Sequence, residues 1–542
     1  MNALRTDGAR SPEEFSVAAR WLPWAVVALA AILPYLTTLG DYFVRDDFGV
    51  VQLLAQKPWS SFPHWFVSPW MDDIWGYTPD EIRPFPAFTY QLTALGGVVS
   101  PQLHHALNIV MHAINACLVM AIARRAAGLS VAAAAFAGIV FALLPVHTES
   151  VAWITGRVDS MPALFYLATF LVYVAFRQRP RASTYVWSLV LFFIALFTKQ
   201  NTITMVATLA AYDVIVGRRP IRPIVGFVLP YVPFAAMTAG YLWLRYVLFH
   251  EVAREGALNA RALEDFRILL DRHLRHVVGG SLDAPAMAVW LLLVLVGAAW
   301  LFLRRAPGSR SADFGRNLLY FGPVWWAIGV LPIAVAGYHS PRHVYLAAVG
   351  WAIVLGALYD AAWRHRASTT WQRGVRIAAA AVAVFYLVPL GLSVREWNRT
   401  AAVSHQVVRD VRTAALGAPE GTLIVIGAPG RSWEWALPFA VRPPYQRTDL
   451  RSRAFIISPR ALSCCTAPWF EETRQTIRNW SAGGARDSVI AMRWDQETGK
   501  LSQVNGRDVP QLPVLIRSLL DMRRPEEADD NLRRMLDVLV GR

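Results

Sequence analysis

Lysine is almost missing from this chain of 542 residues. Lys57, Lys199 and Lys500 are the only three, and arginine supplies the rest of the 53 basic side chains. Cysteine is as scarce, with three residues and no CxxC or Cys/His spacing, which excludes a zinc framework built on those motifs. Cys117 falls in an apolar stretch and reads as packing. Cys464 and Cys465 are adjacent, so a vicinal disulfide and two free thiols both fit. No internal period recurs, which excludes a helical-repeat array. Gly427-Ala-Pro-Gly430 lacks the lysine and hydroxyl residue of a phosphate loop and reads as a turn. The N-terminal arginines Arg5, Arg10 and Arg20 precede an apolar stretch with no small-residue cleavage site, so an uncleaved first span is expected.

Long apolar runs are what the chain has in excess. It is 55% hydrophobic with 22 Trp, and windows of ~20 apolar residues match a bilayer core of ~30 Å. Eleven such stretches lie near 22–39, 104–123, 131–147, 158–176, 184–198, 200–216, 224–248, 286–304, 318–336, 343–363 and 374–394. Alternate connections carry Arg124-Arg125, then Arg177, Arg179 and Arg181, then Arg218, Arg219 and Arg222, then Arg304, Arg305, Arg310 and Arg316, then Arg364, Arg366, Arg373 and Arg376. Cytoplasmic loops retain such residues. The N-terminus is therefore expected in the cytoplasm, the C-terminal tail outside it, and the protein in the cytoplasmic (inner) membrane. The net charge of +15 is then topogenic arginine with some attraction to anionic head groups, and no nucleic-acid partner is expected.

The fold class expected is a polytopic α-helical membrane protein with a small extracytoplasmic α/β domain, divided at 1–395 and 396–542. In the second part, 422–427, 454–458 and 488–492 read as buried strands, and 511–522 and 529–540 as helices. The first outer loop, 41–103, alternates Trp59, Trp65, Trp70 and Trp75 with Pro58, Pro63, Pro69 and Pro79, a pattern suited to short helices with rings at head-group depth. Segment 249–285 reads as an amphipathic helix on the same face.

The residues able to carry chemistry gather in the outer connections. Asp46-Asp47 follows the first span, where a carboxylate can accept a proton from an incoming hydroxyl or hold a divalent cation (Mg or Mn) against a phosphate. A solvated loop start is the structural alternative. His147, Glu149, Arg157 and Asp159 share one short connection, as a polar cluster or a salt-bridge lattice. Lys199 and Arg342 offer an ammonium and a planar guanidinium to phosphate oxygens, with snorkelling to head groups as the alternative. Arg83 adds a further positive contact. His105 and His112 share a helix face with no carboxylate partner, and packing is the simpler reading than a metal site.

Together Asp46-Asp47, Arg83-Pro84, Pro145-Val-His-Thr-Glu149 running into Gly156-Arg-Val-Asp159, Thr198-Lys199 and Arg342-His-Val-Tyr-Leu346 resemble the polytopic GT-C glycosyltransferases. Within them the chain looks most like the transmembrane O-mannosyltransferases that usually carry tetratricopeptide repeats. The resemblance covers roughly residues 20–395. It implies inverting transfer of a hexose, mannose in particular, from a polyprenyl-phosphate donor to an acceptor protein, glycan or lipid outside the cytoplasm. It implies Asp46 or Asp47 as general base or metal ligand, and Arg157, Lys199 and Arg342 on the lipid phosphate. Arg83, His147, Glu149, Asp159 and Tyr345 would shape the pocket. Two departures stand out: Gln200 follows the lysine where the family has an acidic residue, and the repeats are replaced by the α/β segment. A transporter or flippase would instead place ionisable groups near the bilayer midplane, and a non-catalytic scaffold would tolerate loss of Asp46 and Asp47.

Overall fold

A computed structural model describes residues 17–71, 80–93, 99–126, 128–252, 262–279, 283–303, 310–337, 340–365, 368–430, 433–458, 469–482, 488–521 and 527–539. Helix α1 (Val17–Ile32) tightens into a 3-10 segment, Leu33–Gly40, and the first loop then carries α2 (Asp47–Ala55) and α3 (Pro84–Leu92). There follow α4 (Pro101–Arg125), α5 (Val131–Leu143), α6 (Thr148–Ala152), α7 (Arg157–Gln178), α8 (Ala182–Leu196), α9 (Met205–Ile215), α10 (Ile224–Val228) and α11 (Val232–Phe249). Next come α12 (Ala262–Leu274), α13 (Ala284–Leu303), α14 (Arg310–Val335), α15 (Ala348–His365) and α16 (Thr369–Gly417).

All eleven apolar stretches are helical, and the chain is a multi-pass membrane protein. Among the described residues five helices are long and apolar enough to cross a bilayer. The pair formed by Val131–Leu143 and Pro145–Ala152, bent by 51°, makes a sixth. Ala182–Leu196, Pro285–Ala299 and Leu319–Val335 are apolar but shorter, so length and composition account for fewer crossings than the eleven expected. Large apolar side chains stay exposed along α1, α8, α11, α13 and α16, among them Trp21, Trp187, Trp243, Leu293 and Val388. A soluble fold would bury such a belt; lipid solvates it. Close approach is bought with glycine where α14 crosses α15: a Cβ at Gly350 would lie 2.2 Å from the Gly322 carbonyl oxygen. At the arginine-rich face the buried Asp213 accepts from Tyr173 (2.8 Å), Tyr231 (2.7 Å) and Arg177 (2.9 Å), tying α7, α9 and the start of α11 together.

Helix α16 is a single helix of 49 residues, so the expected boundary at 395 falls inside it. Its run of exposed large apolar residues, from Ile377, stops at Leu392, and Leu416 is exposed again near the helix end. Beyond Leu392, Ala401 packs against Val44 and Trp153 and Ser404 donates to the Phe43 carbonyl, while Val407, Val408, Val411 and Ala415, at helical spacing, join the core of a small α/β unit. That unit holds β1 (Thr422–Gly427), α17 (Trp433–Ala440), β2 (Ala454–Ile457), α18 (Trp469–Ala482), β3 (Val489–Asp495), β4 (Lys500–Gln503), α19 (Leu512–Leu520) and α20 (Glu527–Leu539). The sheet order is β2-β1-β3-β4, with β1 parallel to both neighbours and β4 antiparallel to β3. The strand β4 and helices α17 and α18 were not expected from the sequence. Cys464 and Cys465 lie outside the described residues, as do Trp75 and Pro79.

The first loop is not an interfacial apron. Trp65 and Trp70 are buried, in one apolar core with Phe43, Phe48, Val407 and Ile424, and only Trp59 keeps a largely exposed ring. Burying those rings between α2 and the α/β unit removes more apolar surface from water than a head-group location would. Segment Ala262–Leu274 is the helix expected between α11 and α13.

Candidate active site

The site is assembled where the first loop, the α6–α7 connection, Lys199 and residues 340–345 converge. The α6–α7 corner is tight because Gly156 has no side chain: a Cβ there would lie 2.2 Å from the Glu149 carbonyl oxygen. The corner presents Glu149 and Asp159 together. Lys199 Nζ is ion-paired with Asp159 Oδ1, both buried, and sits 3.2 Å from His343 Nδ1. Arg342 bridges the two carboxylates, with Nη1 donating to Glu149 Oε1 at 2.7 Å and Nε 3.3 Å from Asp159 Oδ2. Ser340 also donates to Glu149. His343 is buried beside the pair, its Nδ1 3.4 Å from Asp159 Oδ1.

The aspartate pair divides in two. Asp47 is fully buried, and its oxygens accept from the backbone N–H groups of Val44 and Thr155, each at 3.0 Å. It fastens the first loop to the α6–α7 corner. Burial raises its pKa to about 7 against those hydrogen bonds. Asp46 is partly buried, and no donor holds its carboxylate among the described residues. Burial raises its pKa too, opposed by Arg342 and then Arg45. Arg45 has a left-handed backbone, φ +54°, which costs a residue other than glycine about 1–3 kcal/mol and tends to mark functional loops. Its guanidinium lies over Trp153 and Trp397, at 6.0 and 5.0 Å from the ring centroids, while Arg342 lies over the same Trp153 at 4.7 Å.

Four of the expected residues, Arg157, His147, Tyr345 and Arg83, sit apart from this cluster. Arg157 is fully buried, with Nε donating to Asn108 (3.0 Å), Nη1 to Thr89 (3.1 Å) and Nη2 to the His104 carbonyl (3.1 Å), and it stacks over Tyr90. Those neutral partners occupy the guanidinium and lock α3, α4 and α7 together. His147 is buried among Phe141, Tyr345 and His112, and Tyr345 bonds His112 Nδ1 (2.7 Å) and Asn115 (3.1 Å). These form a polar core beneath the site. Arg83 pairs with Glu81 at 2.7 Å and lies over Trp70, close enough to Lys199 to repel it.

A divalent cation does not fit the donor set. Both Asp47 oxygens are committed to backbone N–H groups, and the neighbours of Asp46 are two guanidiniums. Among the described residues no three His, Cys, Asp or Glu side chains gather in a ligating group.

No family model matches the chain. Over part of its length it is similar to protein O-mannosyl-transferases. It is 34% identical over 204 residues to Tmtc2 of Drosophila melanogaster, covering 35% of this chain and 21% of that protein. It is 28% identical over 158 residues to TMTC3 of Homo sapiens, covering 27% of this chain and 17% of that protein. The chain thus spans about a fifth of the length of these relatives. Among solved structures, ArnT from Cupriavidus metallidurans bound to undecaprenyl phosphate superposes with a TM-score of 0.51. That match has 14% identity and covers 89% of this chain and 94% of that one. The fold is GT-C.

Within that fold, sequence reasoning assigned no role to Trp153, Arg45 or His343, although His343 lies inside a motif it quoted and Arg45 adjoins the aspartate pair. It also missed the hold of the α/β unit on the first loop. Tyr445 donates to the carbonyls of Asp47 (3.1 Å) and Phe48 (2.8 Å), and Gln52 donates to the Pro443 carbonyl at 2.6 Å. Nothing in the sequence near Tyr445 signals a partner some 400 positions away.

Proposed function

We propose that the chain is a glycosyltransferase that moves a hexose, mannose first among them, from a polyprenyl-phosphate donor to an acceptor hydroxyl at the outer face of the cytoplasmic membrane. The observation that carries the reading is the juxtaposition of Asp46, a carboxylate with no fixed donor, and the paired cations Lys199 and Arg342. In this reading Asp46 takes the proton as the acceptor oxygen attacks the anomeric carbon, and the bond from that carbon to the phosphate oxygen breaks with inversion. Lys199 and Arg342 meet the charge that develops on the departing polyprenyl phosphate. Glu149 and Asp159 keep both cations charged and aimed. Asp47 and Arg157 position the loops. No step is routed through a metal. The similarity to O-mannosyl-transferases and the GT-C fold support the reaction class. The arginine-rich loops support a cytoplasmic N-terminus and an outer α/β unit.

The test is transfer of radiolabelled sugar from a panel of polyprenyl-phosphate donors in membranes containing the wild type or Asp46→Asn. Transfer that depends on the wild type and is lost in the variant is expected. Absence of transfer from every donor, or full transfer by the variant, overturns the reading.

A further inference from the structure

A cleft of about 220 Å³ with a mixed lining lies beside the candidate base, walled by Val44 and Arg45 of the first loop, by Glu396, Arg399 and Thr400 of α16, and by Trp433 of the α/β unit. We propose that this cleft is the acceptor subsite, and that it takes a membrane-borne anionic head group carrying a free hydroxyl, the chemistry of a phosphoglycerol. The inference rests on the glycosyltransferase reading.

Charge is the first argument. Among the described residues Arg45 pairs with no carboxylate. Arg399 has Glu396, at 3.5 Å with both side chains largely exposed, so two guanidiniums face the cleft and neither is held in a buried ion pair. Geometry is the second. Arg45 and Asp46 are adjacent in the chain, so an acceptor whose anion meets Arg45 must carry its reacting hydroxyl only a few bonds away. Arg45 and Arg342 both lie over the Trp153 ring, which puts the cation offered to the acceptor's anion next to the one assigned to the departing phosphate. Size is the third: the cleft is smaller than the ~300–1,000 Å³ pockets that enclose drug-sized ligands, and suits one head group. Depth is the fourth. The run of exposed large apolar residues that begins at Ile377 of α16 stops at Leu392, with Leu416 exposed by itself near the far end, and at 1.5 Å per residue Glu396 lies about 6 Å and Ser404 about 18 Å beyond Leu392. A head-group layer is about 5–8 Å thick per leaflet. The lower lip of the cleft therefore meets the lipid head groups and its upper end opens to water. In the reaction the glycerol O–H loses its proton to Asp46, its oxygen bonds the anomeric carbon, and the polyprenyl phosphate leaves.

The full chain in nanodiscs, supplied with polyprenyl-phosphate radiolabelled mannose, tests this with four acceptors. These are phosphatidylglycerol, phosphatidylserine (the same net charge without the hydroxyl), phosphatidylcholine, and soluble glycerol phosphate. Label is expected in phosphatidylglycerol. Read at a pH where Asp46 is ionised in every variant, Arg45→Ala and Arg45→Gly should each raise the phosphatidylglycerol fraction needed for half-saturation about tenfold, and Arg45→Lys should raise it less. The glycine variant relieves the left-handed backbone, so agreement with alanine assigns the effect to the guanidinium. Unchanged half-saturation in both variants overturns the proposal, as does label entering glycerol phosphate but not the lipid. Release of mannose to water in discs without phosphatidylglycerol separates the two readings. Donor turnover with phosphatidylglycerol never labelled sinks this inference alone, whereas no turnover under any condition sinks the glycosyltransferase reading with it.

Discussion

Asp46→Asn and Asp47→Asn are nearly isosteric changes at adjacent positions, and their consequences should part. Asp47 accepts two backbone N–H bonds at 3.0 Å in a fully buried setting. An asparagine keeps one acceptor oxygen and turns an NH₂ group on either the Val44 or the Thr155 N–H, and an unsatisfied buried donor costs about 1–3 kcal/mol. At pH 6, below the pKa of about 7 that burial gives this carboxyl, the aspartate is already largely neutral. Removing its charge then brings no compensating relief, and the full cost should appear as a lowered melting temperature. Asp46 has no such bonds, so its amide should change stability by no more than about 0.5 kcal/mol. Transfer should nevertheless fall by about 10²–10⁴-fold, the range a general base contributes. Thermal melts in detergent at pH 6 and sugar-transfer rates on the same preparations decide it. An Asp46→Asn protein that transfers at the wild-type rate, or an Asp47→Asn protein that melts with the wild type, refutes the division of labour.

Burial also raises the Asp41 pKa to about 7, so with Asp47 the fold favours two protonated carboxyls. The stability they lend is whole below the unfolded value of about 3.9 and is lost as pH rises through about 7. Melting temperature should therefore fall between pH 5 and pH 8, with a shallower slope in Asp41→Asn, and an unchanged slope would contradict the burial argument. Transfer should run the other way, rising with pH through a limb above the ordinary carboxylate range because Asp46 must be ionised to act. Lys199→Met or Asp159→Leu alone should cost about 3–5 kcal/mol by stranding a buried charge, and the double variant should recover much of it; additive losses in a double-mutant cycle would show that the pair is not coupled. Tyr445→Phe removes the hydroxyl that holds the Asp47 and Phe48 carbonyls, and should lower kcat more than it alters the donor KM. Equal effects on both would make Tyr445 merely structural.

Hydropathy made the membrane helices legible because lipid demands long apolar runs whatever surrounds them. The charged motifs were legible because few reasons exist to keep Asp, Lys and Arg at helix ends of such a chain. Lys199, Asp159 and Arg342 do meet, although 143 positions separate the first from the last. Arg157 shows the limit of the method. Its place in the motif is the same whether it faces a phosphate or Asn108 and Thr89, and only the packing of α3 and α4 chooses. Trp65 and Trp70 carry the composition of an interfacial belt, yet a core shared with a distant domain claims them. Tertiary partners so remote leave no local trace.

Helix α16 gives the protein a mechanical property. Its 49 residues make a rod about 74 Å long, of which a bilayer core occupies ~30 Å, and the free half is packed into the unit that grips the Asp46–Asp47 loop. A rod answers a change in bilayer thickness by tilting, and its far end sweeps furthest. On the proposed function, a change in membrane thickness is expected to reach the Asp46–Asp47 loop through a lever whose short arm is in lipid. Turnover in nanodiscs of graded acyl length should pass through a maximum; a flat response would mean that Pro389 or the loop contacts absorb the motion before it reaches the carboxylates.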